Sequence, residues 1–341
     1  MNQRPLHLGR TARAIVERIA VLDLNLSGLQ VLTEAATGAY AVTPVIAAVA
    51  GAEVVVLSRD SRYGTVAEAW SQTSALAAEL GVRHRIRMVD ELDRLTVSKA
   101  DIVTNSGHLR PLNSKIIAEM KQSAVIPLMY EAWELRSTDV DVNACRQKGV
   151  NVAGTNERHA SVGVFQYLGM LVVKVALEEG FAIFDDRCLV LSDNDFGHYI
   201  AETLSANGAK VTSVETLAAA GSSEWDIIVI ATLPPLSGGR RVCLDDVRAS
   251  LYCQVWGDVD RGPASENWRP AREPQSGHMG LTLDSLGHSP VVRLQAAGLK
   301  CGELMLRPSR DEDLMHLIQW VFPEGVSTMG SGESCSHSEA E

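Results

Sequence analysis

The sequence predicts an α/β protein with two Rossmann-like or flavodoxin-like parallel-sheet domains and a cleft between them. Short apolar stretches alternate with helix-forming stretches in both halves of the chain, and repeated alternation of this kind produces parallel sheets with right-handed crossovers. Hydrophobic residues make up 46% of the chain and aromatic residues only 5%, a mix typical of parallel sheets covered by helices. The length of 341 residues suits two domains.

The first half of the chain contains five predicted strands. Residues 53–58, with their Val-Val-Val-Leu centre, form the clearest buried strand, and Gly149 ends the last helix as a C-terminal cap. The predicted strands cover residues 29–33, 53–58, 101–104, 124–128 and 150–153. The predicted helices cover residues 10–23, 45–50, 66–80, 114–121 and 140–148.

A long apolar helix at residues 160–179 separates this alternation from a second one. The strongest strand of the second half lies at residues 225–231, where β-branched side chains are concentrated. The predicted elements are strands at 188–192, 210–214, 225–231 and 251–259, and helices at 197–207 and 289–306. Residues 262–277 are rich in Pro, Arg and Glu, which predicts an irregular loop.

Charge and cysteine spacing exclude several classes of protein. The net charge of −11, from 31 basic and 42 acidic residues, argues against a nucleic-acid partner. No stretch reaches the roughly 18 apolar residues of a membrane helix, and no apolar run follows the basic N-terminus as in a secretory signal. The six cysteines form no C-x-x-C pair and show no zinc spacing. We therefore expect a cytoplasmic protein with free thiols, no membrane contact and no metal.

Residues 189–200 combine a strand, a tight turn and the start of a helix, as at the phosphate turn of a Rossmann domain. The fingerprint G-x-G-x-x-G falls on Ser192, Asn194 and Gly197, so only its last glycine is present. Ser and Asn are small, and the N-terminus of a helix favours an anion. Asp193 and Asp195 act in the opposite direction, because carboxylates repel a pyrophosphate.

Two interpretations of this turn follow. In the first, Ser192, Asn194, Phe196 and Gly197 bind the pyrophosphate of a dinucleotide, and Glu215 at the end of the next strand binds the ribose. In the second, the polar side chains cap the helix, and Glu215 stands at a strand end by chance.

Three stretches, in this order along the chain, carry a family resemblance. Residues 123–157 contain Thr-Asp-Val-Asp-Val-Asn and then Lys-Gly-Val-Asn-Val-Ala-Gly-Thr-Asn, and residues 189–197 form the turn described above. Residues 257–260 read Gly-Asp-Val-Asp, and residues 277–282 read Gly-His-Met-Gly-Leu-Thr. Together they resemble the D-isomer-specific 2-hydroxyacid dehydrogenases, which include formate and glycerate dehydrogenases, and the chain would be a divergent member.

This resemblance implies a substrate domain at residues 1–170, completed by a return helix at 289–325, and a dinucleotide-binding domain at 171–288. It also implies NAD or NADP as the cofactor. Many members of the family pair through the cofactor domain, so a homodimer is expected. The Gly, Ser and Glu content of residues 326–341 predicts a disordered acidic tail.

The resemblance assigns the catalytic acid/base to His278, which would exchange a proton with the substrate oxygen while hydride moves. The alternative is a loop histidine bonded to backbone. The family's catalytic arginine corresponds to Arg240 or Arg241 and its acid to Asp245 or Asp246, in a segment that is short in this chain.

Further candidates precede the cofactor half. Arg136 would polarise the substrate, and His108, Glu131 and Glu134 would contact a polar molecule, such as one that bears an amine. Turn chemistry around His108 and a surface ion-pair cluster are the alternatives. Residues 37–40 are a second possible nucleotide turn or an ordinary βα loop with surface arginines nearby.

Two functions are compatible with these patterns. The first is an NAD(P)-dependent oxidoreductase that acts on a small polar hydroxy or keto substrate with His278 as acid/base. The second is a dehydrogenase-like protein without redox turnover, either a binding or regulatory module or a biosynthetic enzyme that uses the cleft in another way. The missing glycines and the acidic turn favour the second.

Overall fold

Two mainly parallel β-sheets organise the computed structural model, which describes residues 7–221, 224–244, 247–261 and 266–322. One sheet has seven strands and the other has five, and helices pack against both. This α/β architecture with two Rossmann-like sheets confirms the predicted fold class.

The seven-stranded sheet comes from the first half of the chain and one returning strand. Its strands are β1 Gln30–Glu34, β2 Glu53–Leu57, β3 Ile86–Val89, β4 Ile102–Val103, β5 Val125–Pro127, β6 Asn151–Thr155 and β14 Ile318–Trp320. Their order is β14-β6-β5-β4-β1-β2-β3, and only β14 runs antiparallel to its neighbour. The order reverses between β1 and β4, which is where an open α/β sheet places its ligand crevice.

Helices cover both faces of this sheet. They are α1 Leu8–Leu22, α2 Val42–Val49, α3 Val66–Glu79, α4 Arg94–Lys99, α5 Ser114–Glu119, α6 Val142–Lys148 and α9 His288–Leu306. One core lies under α1, α2 and α9 and the other under α4 to α6. The helix α9 is almost wholly buried, so the late segment of the chain holds the first sheet together.

The five-stranded sheet has the order β13-β11-β9-β7-β8 and is parallel throughout. Its strands are β7 Arg187–Leu191, β8 Lys210–Val214, β9 Glu224–Ala231, β11 Arg248–Trp256 and β13 Trp268–Arg269, and a separate small ladder joins β10 Val242–Cys243 to β12 Val259–Asp260. The helices α7 Gln166–Glu178 and α8 Phe196–Ala206 cover one face. The other face is packed by aromatic side chains such as Trp225 and Trp268.

Several predicted elements differ from the structure. The helix predicted at 160–179 begins only at Gln166, because Gly163 adopts a positive φ of 57° in the turn before it. The helix predicted at 289–306 is confirmed as α9, which ends at Leu306, two residues before Pro308. The return helix predicted as far as residue 325 does not continue beyond it, because the chain proceeds as the short helix α10 Glu312–Met315 and strand β14. The domain limits at residues 170 and 288 stay predictions, and the tail at 326–341 lies outside the described residues.

Within the described ranges, no helix is long and apolar enough to cross a membrane. Cys145, Cys188, Cys253 and Cys301 are buried free thiols, and Cys243 is exposed.

Candidate functional site

A cleft of about 2290 Å³ lies between the two sheets and is lined by residues of both halves of the chain. The wall on the side of the first sheet consists of α1, the turn after β1, and residues 133–138. The opposite wall consists of Trp256 at the end of β11 and the loop residues 270–289. The turn after β1 forms a short 3-10 helix, Gly38–Ala41, and the backbone N–H of Gly38 donates to Gln72 Oε1 at 2.7 Å.

Cationic side chains dominate the lining of the cleft. Among the described residues, six arginines and one lysine face four glutamates and one aspartate, although the whole chain carries a net charge of −11. Arg10 and Arg13 are exposed on one side of α1, and His288 lies near His7 and Arg10. Burial, and then the positive charges of His7 and Arg10, lower the pKa of His288. Basic side chains of α1 and of the start of α9 therefore lie close together in this part of the cleft.

Two of the cleft arginines are held in fixed positions. Arg136 Nε lies 3.2 Å from Asp139 Oδ2, and Arg110 Nη1 lies 3.9 Å from the same oxygen. Arg110 Nε also donates to Asn105 Oδ1 at 2.9 Å, and Tyr130 Oη donates to Asp139 Oδ2 at 2.7 Å. These contacts follow β4 and β5 directly, so the ends of both strands position the guanidinium groups.

A buried carboxylate cluster lies behind the wall at residues 131–134. Glu131 has no exposed surface. Its Oε1 accepts from Glu157 N at 3.2 Å and from Gln319 Nε2 at 3.3 Å, and its Oε2 accepts from Arg158 Nη2 at 3.4 Å and from Trp133 Nε1. Four donors around one carboxylate stabilise its negative charge.

Glu134 belongs to the same cluster but lines the cleft. Its Oε1 accepts from the backbone N–H of Glu131 at 3.3 Å. Burial, and then the negative charge of Glu131, raise the pKa of Glu134 from 4.5 to about 7. The pKa of the buried Glu157 is also raised well above its usual value, first by burial and then by Glu134 and Glu131.

The turn predicted to bind a pyrophosphate is occupied by its own side chains. Ser192 Oγ accepts from Gly197 N at 3.1 Å, and Asn194 Oδ1 accepts from Phe196 N at 3.0 Å. Ser192 Oγ and Asn194 Nδ2 each donate to Ala231 O at 2.8 Å. The backbone groups that a phosphate would approach thus already have partners within the protein.

The two aspartates of this turn are also engaged. Asp193 Oδ1 accepts from Leu233 N at 2.8 Å, and Asp195 forms an ion pair with Arg158. Arg158 therefore links the start of α8 to the buried Glu131. The residues at 192–197 are absent from the described lining of the cleft.

An aromatic cluster packs where the start of α8 meets the first half of the chain. Trp133 stands 4.7 Å from Trp256 and 6.0 Å from Phe196 between ring centroids, and Phe196 contacts Phe165 at 4.9 Å. Trp133 and Trp256 also line the cleft. The cluster fixes the beginning of α8 against the first half of the chain and gives the cleft an apolar floor.

The structure brings some predicted site residues together and leaves others apart. His278, Arg136 and Glu134 all line the cleft. His278 is exposed, and its Nδ1 lies 3.1 Å from Ser276 O. Its assigned role as acid/base stays a prediction.

Other candidates lie outside the cleft lining. Arg241 donates to Val259 O at 3.1 Å and pairs with Glu273 at 3.3 Å. The backbone N–H of His108 donates to Glu34 Oε2 at 2.7 Å. Glu215 is exposed directly after β8. Arg240 is exposed, and Asp245 and Asp246 lie outside the described residues.

Two features of the cleft were not predicted from the sequence. They are the aromatic rings of Trp133 and Trp256 and the arginines on the exposed side of α1. Aromatic residues make up only 5% of the chain, so Trp133, in the loop after the predicted strand 124–128, and Trp256, late in the predicted strand 251–259, were a usable signal. Arg10 and Arg13 are three residues apart, and that spacing places them on one face of the predicted first helix. In the described residues, no group of three or more His, Cys, Asp or Glu side chains is arranged to hold a metal ion.

The fold and the cleft define the class of protein: an α/β protein with two Rossmann-like sheets and a ligand-sized opening between them. The chain matches no protein-family model and no curated protein sequence. A dipicolinate synthase chain from Bacillus halodurans is similar at 12% identity, over 83% of this chain and 100% of that chain, with a TM-score of 0.48.

Two other solved structures are similar to a comparable extent. The transhydrogenase from Sinorhizobium meliloti has 13% identity over 85% of this chain and 96% of its own, with a TM-score of 0.49. NAD-dependent formate dehydrogenase from Staphylococcus aureus, in complex with NAD, has 11% identity over 83% of this chain and 98% of its own, with a TM-score of 0.41. At these identities and scores, nothing about the ligand of this chain follows from the likeness.

Proposed function

We propose that the protein binds a small anionic molecule, with a carboxylate as its main recognition group, in the cleft between the two sheets. The observation that supports the proposal best is the excess of arginines in the cleft of an acidic protein. Arginine binds carboxylates through two parallel hydrogen bonds, which gives both affinity and orientation. This is the non-redox alternative among the two functions predicted from the sequence.

The positions of the arginines suit a ligand that spans the cleft. Arg10 and Arg13 lie on α1, while Arg272 approaches from the loop after β13. Arg136, held by Asp139, lies beside Glu134 on the first wall. An anion between these groups contacts both halves of the protein, and the indole rings of Trp133 and Trp256 would pack against its apolar part.

The turn at 192–197 does not fit a dinucleotide. Its N–H groups are used by Ser192 and Asn194, and both aspartates beside it are held in place by Leu233 N and Arg158. A pyrophosphate would have to displace these contacts and would meet two negative charges. We therefore derive no reaction step through NAD or NADP.

An NAD(P)-dependent oxidoreductase remains the second candidate. The position of His278 on the cleft wall favours it, because the imidazole lies beside the space where a substrate would bind. It requires a rearranged turn in which Ser192 and Asn194 release the N–H groups they now occupy.

A thermal-shift comparison separates the two candidates, because a ligand that binds only the folded protein stabilises it by mass action. The probes are malonate, citrate and pyruvate on one side, and NAD, NADH, NADP and NADPH on the other. We expect a rise in Tm with at least one of the carboxylates and none with the dinucleotides. A rise in Tm with a dinucleotide but with no carboxylate would support the oxidoreductase and contradict our proposal. No rise in Tm with any carboxylate would also contradict our proposal.

The variant Arg13→Gln tests the location of the site. It removes a cleft charge on α1 and should reduce the carboxylate shift strongly. Arg310→Gln removes an exposed arginine outside the cleft lining and serves as the matched control. Equal shifts in both variants would place the anion elsewhere.

A further inference from the structure

We infer that the anion enters the cleft together with a proton, and that Glu134 holds this proton. The inference rests on the proposed function and deepens it, because it assigns a proton carrier to the same site. It depends on three features of the structure. Glu134 lies on the cleft wall, buried acidic side chains lie behind it, and Glu134 accepts fewer described hydrogen bonds than Glu131 does.

The donors distinguish Glu134 from its neighbour Glu131. Glu131 is fully buried and accepts from two backbone or amide donors, an indole and the guanidinium of Arg158. Four described donors therefore surround its two oxygens. Glu134 accepts from a single described donor, the backbone N–H of Glu131, while its side chain lines the cleft. Because fewer donors stabilise its charged form, the cleft-lining Glu134 is the carboxyl group placed to hold a proton beside a ligand, and burial raises its pKa accordingly.

Charged groups from several elements face Glu134. Glu131 immediately precedes the same 3-10 helix, Ala132–Glu134, and Glu157 follows β6, against which this helix packs. Both carboxylates lie close enough to couple with Glu134, whereas Arg136 and Arg110 lower its pKa without cancelling the effect of burial. The balance of these groups raises the pKa of Glu134 to about 7.

An anion that arrives beside Glu134 adds another negative charge at short range. It therefore favours the protonated carboxyl and raises the pKa further, so binding above neutral pH takes up a proton from the solvent. The neutral carboxyl donates a hydrogen bond to an oxygen of the anion, which a carboxylate would repel. Affinity and protonation are linked, and the anion should bind less tightly as the pH rises.

The histidines of the cleft are the competing source of proton uptake. His7, His278 and His288 also line it, and a nearby anion stabilises any imidazolium as well. The buried Glu157, whose pKa is also raised, is a further proton site. The test must therefore separate Glu134 from Glu157 and from three imidazoles. Glu134→Gln does so, because glutamine keeps the acceptor for Glu131 N but does not titrate.

The experiment is isothermal titration calorimetry of the full-length protein with malonate in two buffers of different ionisation enthalpy, at about pH 8. At this pH the wild-type protein should take up between about half and one proton per malonate. Its association constant should fall by up to about tenfold per pH unit above neutrality. In Glu134→Gln the uptake should disappear and the pH dependence should flatten, while binding persists.

Glu178→Gln is the matched control, since Glu178 also lines the cleft but pairs with Lys174 at 2.7 Å. It should retain the proton uptake of the wild-type protein.

Malonate binding without proton uptake in the wild-type protein overturns this inference and leaves the proposed function intact. Uptake that survives in Glu134→Gln also overturns it. If Glu134→Gln does not fold, proton uptake at about pH 8 is measured in His7→Gln, His278→Gln and His288→Gln: uptake that persists in all three supports the inference, and uptake lost in any of them overturns it. No binding of malonate, citrate or pyruvate overturns the proposed function itself.

Discussion

Replacing Glu134 by glutamine should stabilise the protein at alkaline pH and leave its stability almost unchanged in acid. The pKa of Glu134 rises from 4.5 to about 7 in the folded protein, first because of burial and then because of Glu131. The folded state therefore binds the proton more tightly than the unfolded state, so stability falls as the pH rises from about 4.5 to about 7. A shift of this size corresponds to about 3 kcal/mol, an upper bound for a side chain on a cleft wall.

Urea unfolding followed by circular dichroism at about pH 4 and about pH 8 measures this difference. We expect Glu134→Gln to exceed the wild-type free energy of unfolding by about 2 to 3 kcal/mol at the higher pH and to match it at the lower. Glu178→Gln, which breaks an exposed ion pair, should change stability by less than about 1 kcal/mol at either pH. An equal difference between Glu134→Gln and wild type at both pH values would refute the assignment of a raised pKa.

Three further substitutions test the junction between the two halves. Trp133→Ala should destabilise the protein by about 3 kcal/mol in urea unfolding, because it removes the ring that contacts both Phe196 and Trp256. A loss below about 1 kcal/mol would show that the cluster packs loosely. Arg158→Gln should cost about 1 to 2 kcal/mol by the same assay, since Glu131 stays buried with one charged donor fewer. Unchanged stability would show that the pairing of Arg158 with Glu131 does not stabilise the fold. Gly197→Ala should lower Tm and cost about 1 to 3 kcal/mol, because the new Cβ would lie 2.6 Å from Ser192 Cβ; a neutral effect would mean that the turn has room to move.

Much of the fold was predictable from the sequence. The apolar strands 53–58 and 225–231 were found because parallel strands are buried on both faces and appear as continuous β-branched runs. Strand β14 was missed because it has only three residues, Ile318–Trp320, and a polar one in the middle. Its position depends on pairing with β6 rather than on any local pattern.

The candidate site was predictable only in part. His278, Arg136 and Glu134 could be found because they are polar residues in loops that follow strands. The pairing of Arg158 with Glu131 and Asp195 could not, since it joins three segments that come together only in the folded chain. For the same reason, the sequence could not decide whether the turn at 192–197 binds a dinucleotide or caps its own helix.

The self-capped turn shows which of the two sequence interpretations the geometry favours. Ser192 and Asn194 stand where glycines would leave backbone N–H groups open to a phosphate. Their side chains bond those same groups, as the capping interpretation requires. Only the folded structure decides between these possibilities, because Ser and Asn are compatible with both.

A crystal structure of the protein grown with malonate tests the central claim most directly. The account predicts malonate in the cleft, with its carboxylates in contact with arginines of α1 and with Arg136, and with Glu134 within hydrogen-bond distance. Malonate at the start of α8, or a cleft that stays free of it at a concentration that raises Tm, would contradict the account.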